Sequence, residues 1–459
     1  METVDTLILG AGLAGLSSSY HIGHNKCLIL EAKSHAFGHI HSEVLDGFTW
    51  DEGPHVSFTK HAYVKELFSD AVNDNFEEYE PVTGNYYHGD WINHPAQSNL
   101  YQISEPLRTK CLDSFLSSRE KEFADPVNYD EWLQQAFGAV FAETFPRAYT
   151  KKYWTVDPKQ LTTDWVGQRV FRPSIDDVIN GSNGPLSRNT HYIKKVRYPS
   201  EAGYQSFAQK LAKDAKIHLN TVASSIDLLG KIVTSSDGRK YKYNQLINTI
   251  PLPLFLECCQ FVPKNVAEAS NKLLCSSIQL VNVTAPHETQ RPENWIYVYD
   301  EDKFAVRINC TEKLARGNAP IGSTGVQVEV YHSPVKPLKE DSKKIERAVV
   351  EELVEMGLIC PEKVGGRSSI KSISRMVPWA NIIFDHNTRP SLSTIFDWLQ
   401  TQGLRREADD LHPLTNWDNL DTETKGDLIL AGRFGQWKYF WTDDCVLRGK
   451  HISESIRSN

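Results

Sequence analysis

A chain of 459 residues is long for one domain, so two or three packed units are expected. Lys and Arg total 50 against 58 Asp and Glu, a net charge of −8 with no basic block. That balance argues against wholesale nucleic-acid binding and leaves room for a local basic pocket around one anionic ligand. No apolar run approaches the roughly 18–20 residues that span a bilayer. The first, Thr6-Leu7-Ile8-Leu9, stops at glycines, as a buried strand does and a signal peptide does not. The eight cysteines show no CxxC pair and no zinc spacing, and they read as reduced thiols of a cytoplasmic protein.

In chain order, residues 4–33 predict a strand (4–9), a glycine turn (10–15), a helix (16–22) and a strand (26–30) ending at Glu31. Helices are expected near 60–70, 107–122, 128–148 and 173–180. From 217 the pattern turns extended, with strands at 217–222, 225–229, 231–234 and 245–250 and an Asp237-Gly238 turn. Alternating β-formers over 278–283, 295–299, 304–308 and 326–331 predict an antiparallel sheet, followed by a helix at 341–356. An apolar run at 428–431 and a helix from Asp443 close the chain. Strand–helix pieces of one nucleotide-binding unit thus fall at both ends and in the middle, which implies an interrupted domain.

Two glycine turns carry the chemistry. Gly10-Ala11-Gly12-Leu13-Ala14-Gly15 follows a strand and opens a helix. Gly10 permits the sharp turn, Gly12 lets the backbone approach a pyrophosphate, and Gly15 lets helix pack on strand. Glu31 is placed to accept hydrogen bonds from an adenosine ribose, which favours FAD or NAD over NADP. Near the other end, Gly432-Arg433-Phe434-Gly435-Gln436-Trp437-Lys438-Tyr439 puts charge and aromatic rings on a turn between strand and helix. Such a turn suits an anion or a planar cofactor. Arg169 and Arg307 stand among apolar residues, where a guanidinium needs an anionic partner. That partner is either a bound diphosphate or an internal Asp or Glu, and the sequence leaves both open. His55, after Gly53-Pro54, reads from its own segment as a surface-turn histidine. His39-Ile40-His41 and Asp385-His386 lack the further ligands of a metal site, and none is expected.

Taken in order, these segments resemble UDP-galactopyranose mutases, members of the wider group of flavoproteins that includes amine and protoporphyrinogen oxidases. The resemblance runs almost end to end. Gly10, Gly12 and Gly15 with Glu31 match the FAD fingerprint, and Gly53-Pro54-His55 is similar to the turn whose histidine lies by the flavin. Ala148-Tyr149-Thr150-Lys151-Lys152-Tyr153-Trp154 is similar to the segment whose tryptophan, here Trp154, touches substrate. Arg169, and the pair Tyr297 and Arg307, match the diphosphate-binding positions. Gly432 and Arg433 with Tyr439 resemble the signature whose arginine lies against the flavin and whose tyrosine binds diphosphate. Gly38, Val222 and Asp443 complete the implied cofactor contacts.

The resemblance implies an α/β fold: a discontinuous Rossmann-like FAD-binding domain (1–85, 191–265, 381–459) with a helical insert (86–190) and an antiparallel substrate sheet (266–380). It implies an isomerase that interconverts the pyranose and furanose forms of a nucleotide-diphosphate sugar. Reduced-flavin N5 attacks the anomeric carbon with no net redox change, NAD(P)H is a candidate reductant, and a homo-oligomer is left open. Three departures stand out. The expected double glycine is Phe37-Gly38; the base-contacting segment is His94-Pro95-Ala96-Gln97, where Gln97 is retained; and Pro378-Trp379-Ala380-Asn381 stands where a flavin-side tyrosine is expected. They point to the same reaction on a different nucleotide sugar. The alternatives are an FAD-dependent oxidase or dehydrogenase on the same framework, and a protein that keeps FAD without catalysis.

Overall fold

The structure, a computed structural model, describes residues 1–167, 169–186, 193–418, 420–421 and 424–457. The first strand, β1 (Glu2–Leu9), ends in four buried residues, because it is paired on both edges and covered on both faces. It runs parallel to β2 (Cys27–Leu30) on one side and to Lys240–Asn248 on the other. Between β1 and β2 the chain forms α1 (Leu13–Ile22). The Lys240–Asn248 strand divides its outer edge. Its start pairs antiparallel with Ile232–Ser235, and its end pairs parallel with Leu428–Leu430. The C-terminal strand therefore completes the sheet that the N-terminus began. The last helix, Thr442–Arg457, lies against α1 so closely that a Cβ at Gly449 would fall 2.3 Å from Ser17 Oγ.

The second sheet runs in the order Lys371–Ile383, Leu274–Ala285, Thr324–His332, Arg307–Cys310, Trp295–Val298, Thr83–Tyr87, Asp90–Asn93. All neighbours are antiparallel except Trp295–Val298 with Thr83–Tyr87. The hairpin over 83–93 straddles the boundary expected at 85/86 and belongs to this sheet, not to the helices. The strand expected at 304–308 begins at Arg307, because the Glu352 carboxylate takes the amides of Phe304 (2.7 Å) and Ala305 (2.9 Å) that a ladder would use. Lys371–Ile383 was not expected as a strand. Pro378 breaks its signal, and the strand tolerates it by lying at the sheet edge.

The helical segment comprises Glu105–Arg119, Tyr129–Phe137, Ala139–Ala142, Ala148–Tyr153 and Ile175–Asn183. One helix was expected over 128–148. Gly138 interrupts it at φ +77°, and Pro146, lacking an amide proton, widens Glu143–Arg147 into a π turn. The largest apolar cluster joins these helices to the first sheet through Leu7, Phe141, Phe145, Trp165 and Leu246. A separate cluster seals the second sheet against Ser342–Glu355. No helix among the described residues is long and apolar enough to cross a membrane.

Candidate active site

A cavity of about 970 Å³ opens where the two sheets and the helices meet. Every site residue expected from the sequence lines it except Gly15. Gly15 sits behind the lining, where a Cβ would fall 2.1 Å from the Gly10 carbonyl oxygen, so its work is to seat α1 on β1.

One end of the cavity is a backbone cradle. Gly10 adopts φ +97°, and a Cβ there would meet Thr249 Oγ1 at 2.6 Å. Gly12 opens α1 without a side-chain cap or an acid in the first turn, which leaves the positive helix end to a ligand. Phe37 takes the left-handed conformation (φ 79°) expected of the missing glycine, held by the hydrogen bond that its N–H donates to the Ala11 carbonyl (2.8 Å). Beside it Gly38 passes close to Gly12, with room for no Cβ. Glu31 accepts from the amides of Ala11 (2.7 Å) and Lys33 (2.8 Å). Each carboxylate oxygen retains a further acceptor position, so a ribose is compatible with these bonds. Val222 lines the wall next to Glu31, and Gly432 closes over α1, where a Cβ would press on Ala14 at 2.9 Å. Asp443 stands in the first turn of Thr442–Arg457.

The other end is aromatic and cationic. His55 stacks on Tyr204 (5.4 Å between centroids), and its Nδ1 donates to the Gly53 carbonyl at 2.7 Å. Burial, helped by His39, Arg307 and Arg433, pushes its pKa down to about 4 against the pull of that carbonyl. The imidazole is therefore neutral at pH 7, with Nε2 free to accept. Arg307 donates through Nε and Nη2 to Glu329 and through Nη2 to the Tyr331 hydroxyl (2.9 Å). Burial opposes its charge, and Glu329 outweighs burial, holding the guanidinium well above its ordinary range. Glu329 is an internal acidic partner of the kind the sequence left open for Arg307.

Arg169 stacks on Trp441 (3.8 Å) and Tyr439 (4.5 Å), with Asp444 at 3.6 Å. Arg433 meets no carboxylate within ion-pair distance among the described residues. It donates to Asn381 Oδ1 (2.7 Å) and the Phe440 carbonyl (3.4 Å), both neutral. Burial raises the Tyr297 phenol and pushes that of Tyr439 up to about 12, so both remain O–H donors. Trp154 packs on Tyr439 (5.6 Å), and Gln97 donates to the Phe171 carbonyl at 3.3 Å.

The sequence reading missed Glu329, Tyr331 and Trp441, and it named Asn381 only within the departing segment 378–381. The first two had a signal. In Val326-Gln327-Val328-Glu329-Val330-Tyr331 the period of two sets every polar residue on one face, and Glu329 pairs with Arg307 directly across the strands. Lys438, prominent in the same turn as Arg433, is not a site residue. It is buried behind the turn, on the Asp409 side chain (2.7 Å) and Thr415 (2.8 Å).

The model of flavin containing amine oxidoreductases matches residues 13–295. The chain belongs to that family. A flavin cofactor follows, and the glycine cradle, the uncapped start of α1 and the size of the cavity fit one. Among solved structures, a reduced UDP-galactopyranose mutase is 20% identical with a TM-score of 0.86, covering 99% of this chain and 96% of that one. A putative protoporphyrinogen oxidase from Exiguobacterium sp. 255-15 is 16% identical, TM-score 0.70, over 100% and 99% of the two chains. A putrescine oxidase is 12% identical, TM-score 0.60, over 100% and 99%. These likenesses establish the α/β flavoprotein fold that the sequence implied.

Proposed function

We propose that this protein is an FAD-dependent mutase that interconverts the pyranose and furanose forms of a nucleotide-diphosphate sugar without net redox change. One observation carries the reading: a single cavity joins both glycine turns to Arg169, Arg307, Arg433, Tyr297 and Tyr439. Gly10, Gly12, Glu31, Gly38, Val222, Gly432 and Asp443 would hold the cofactor, which when reduced supplies a nucleophilic nitrogen. Everything else falls to this chain's side chains. The leaving diphosphate carries two to three charges and has to stay within reach for ring closure. Arg433 offers it a cation, and Arg169, Arg307, Tyr297 and Tyr439 offer donors, each bond contributing about 1.5–3 kcal/mol where a charge is involved. Neutral His55 can accept a hydrogen bond at Nε2 and so orient a sugar hydroxyl. Trp154 supplies a flat wall that excludes water, and Gln97 a polar edge for the base.

The same electrostatics weigh against an amine oxidase. At an effective dielectric near 20, a unit charge about 4 Å from Arg433 gains or loses about 4 kcal/mol, according to its sign. A protonated amine loses. The Glu329 carboxylate, which would attract it, is already held by Arg307.

Dithionite-reduced enzyme incubated with UDP-galactopyranose, followed by chromatography of the products, tests the proposal. Ring interconversion that consumes neither oxygen nor stoichiometric reductant is expected, with NAD(P)H able to replace dithionite. GDP- and dTDP-sugars, together with thermal shift by UDP, GDP and dTDP, identify the base. Steady oxygen uptake with an amine and no interconversion of any nucleotide sugar would overturn the reading.

A further inference from the structure

The three cavity arginines among the described residues differ in what they touch. Arg307 is held by the Glu329 carboxylate, and Arg169 lies 3.6 Å from Asp444. Arg433 is held by an amide and a backbone carbonyl, and its buried Nε has no acceptor among the described residues. The amide is Asn381, whose Oδ1 also accepts from the Tyr153 hydroxyl at 3.3 Å. Its backbone is pinned by Ser276, whose Oγ accepts from the Asn381 amide at 3.2 Å. The pairing slips there, between Ser276 and Ile278, and Trp379 adopts φ +61°, a costly conformation for a bulky aromatic residue. Residues 378–380 bulge out of the ladder, and pairing resumes at Asn381, opposite Ser276, where its side chain reaches Arg433.

We infer that Asn381 is a specificity-determining residue: its neutral amide, where the other two arginines meet carboxylates, leaves the Arg433 cation uncompensated for an anion in the cavity. Asp has nearly the shape of Asn, so the choice at 381 is one of charge and not of fit. A carboxylate there would close an ion pair like that of Arg307 with Glu329 and would compete with any anionic ligand. The anion is either a substrate diphosphate or the negative charge of a reduced flavin. The inference rests on the cavity reading proposed above, and it extends that reading from which residues bind to which residue keeps binding possible.

The test uses flavin-loaded wild type, Asn381→Asp and Asn381→Ser, titrated with inorganic pyrophosphate, UDP and uridine, with the flavin midpoint potential measured in parallel. For a diphosphate site, Asn381→Asp weakens pyrophosphate and UDP by about tenfold or more, while uridine stays within about twofold. Asn381→Ser, which adds no charge, changes all three by less than about threefold. For a flavin site, Asn381→Asp lowers the midpoint potential and leaves pyrophosphate binding unchanged. The inference is overturned if Asn381→Asp moves neither, if Asn381→Ser loses as much as Asn381→Asp, or if uridine falls alongside UDP. Should Asn381→Asp fail to retain flavin, Arg433→Gln decides: lost pyrophosphate affinity or a lowered potential supports the inference, and unchanged values sink it. Wild type that binds pyrophosphate but none of UDP, GDP and dTDP would refute the nucleotide-sugar reading and leave the role of Asn381 standing.

Discussion

Arg307 and Arg433 bring the same charge to the same cavity, and their neighbours give it opposite consequences. Arg307 is neutralised by Glu329, whose side chain is 1% exposed, so it acts as a donor fixed in place more than as a free cation. Replacing it with Ala strands that carboxylate. We expect Arg307→Ala to keep its flavin, lose most turnover, and lose about 3–5 kcal/mol of stability to the unpaired acid. Flavin absorbance, ring-interconversion rates and denaturant unfolding measure the three, and normal turnover would remove Arg307 from the site. His55 gives a pH signature. Its folded pKa, about 4, lies below the ordinary 6.5, so the unfolded chain takes up the proton first as pH falls. Its contribution is intact above pH 6.5, declines between 6.5 and about 4, and is flat below that. The difference between the stability–pH curves of wild type and His55→Gln isolates this term, and a difference that is level across that window would contradict it.

At the scale of elements, the cofactor cradle is a set of close backbone approaches. Gly15→Ala would drive a methyl into the Gly10 carbonyl, and neither backbone can retreat without parting α1 from β1. We expect this variant to lose flavin and melt earlier. Gly184→Ala, with extended φ and nothing within 4 Å of its Cβ, should match wild type in both respects. Equal behaviour of the two variants would show that the close approach does not matter. The strand–turn–helix at 428–457 is held from behind by Lys438, which reaches three acceptors on the 409–415 segment. Lys438→Met removes a buried cation and leaves Asp409 unpaired, and it should cost about 3–5 kcal/mol, read by denaturant unfolding. A cost near zero would mean that the segment is held by packing alone.

For the whole molecule, the first sheet is assembled from strands separated by hundreds of residues, and the cavity is walled by both sheets and the helices. A ligand that fills it touches all three and stabilises them together by RT ln(1 + [L]/Kd). Flavin-loaded protein should therefore melt in one transition, above that of apoprotein, and nucleoside diphosphate should raise it again. Calorimetry that shows one part melting at a temperature insensitive to flavin would contradict this coupling.

What the sequence determined by itself was local. The glycine turn between strand and helix, the alternation behind the central strands of the second sheet, and the charged segment at 432–439 each depend on neighbours in the chain, and each is present, although α1 starts at Leu13 and not at 16 and Gly432–Gly435 forms a short helical turn. Helix ends and strand starts were less legible. Gly138, Pro146 and the Glu352 carboxylate act on geometry or on amides that periodicity does not register. Tertiary structure alone decided which charge meets which. Glu329 lies 22 residues from Arg307 and Asn381 lies 52 residues from Arg433, and neither pairing follows from spacing. A cation's effect depends on the charge a few ångströms away, and folding chooses that neighbour.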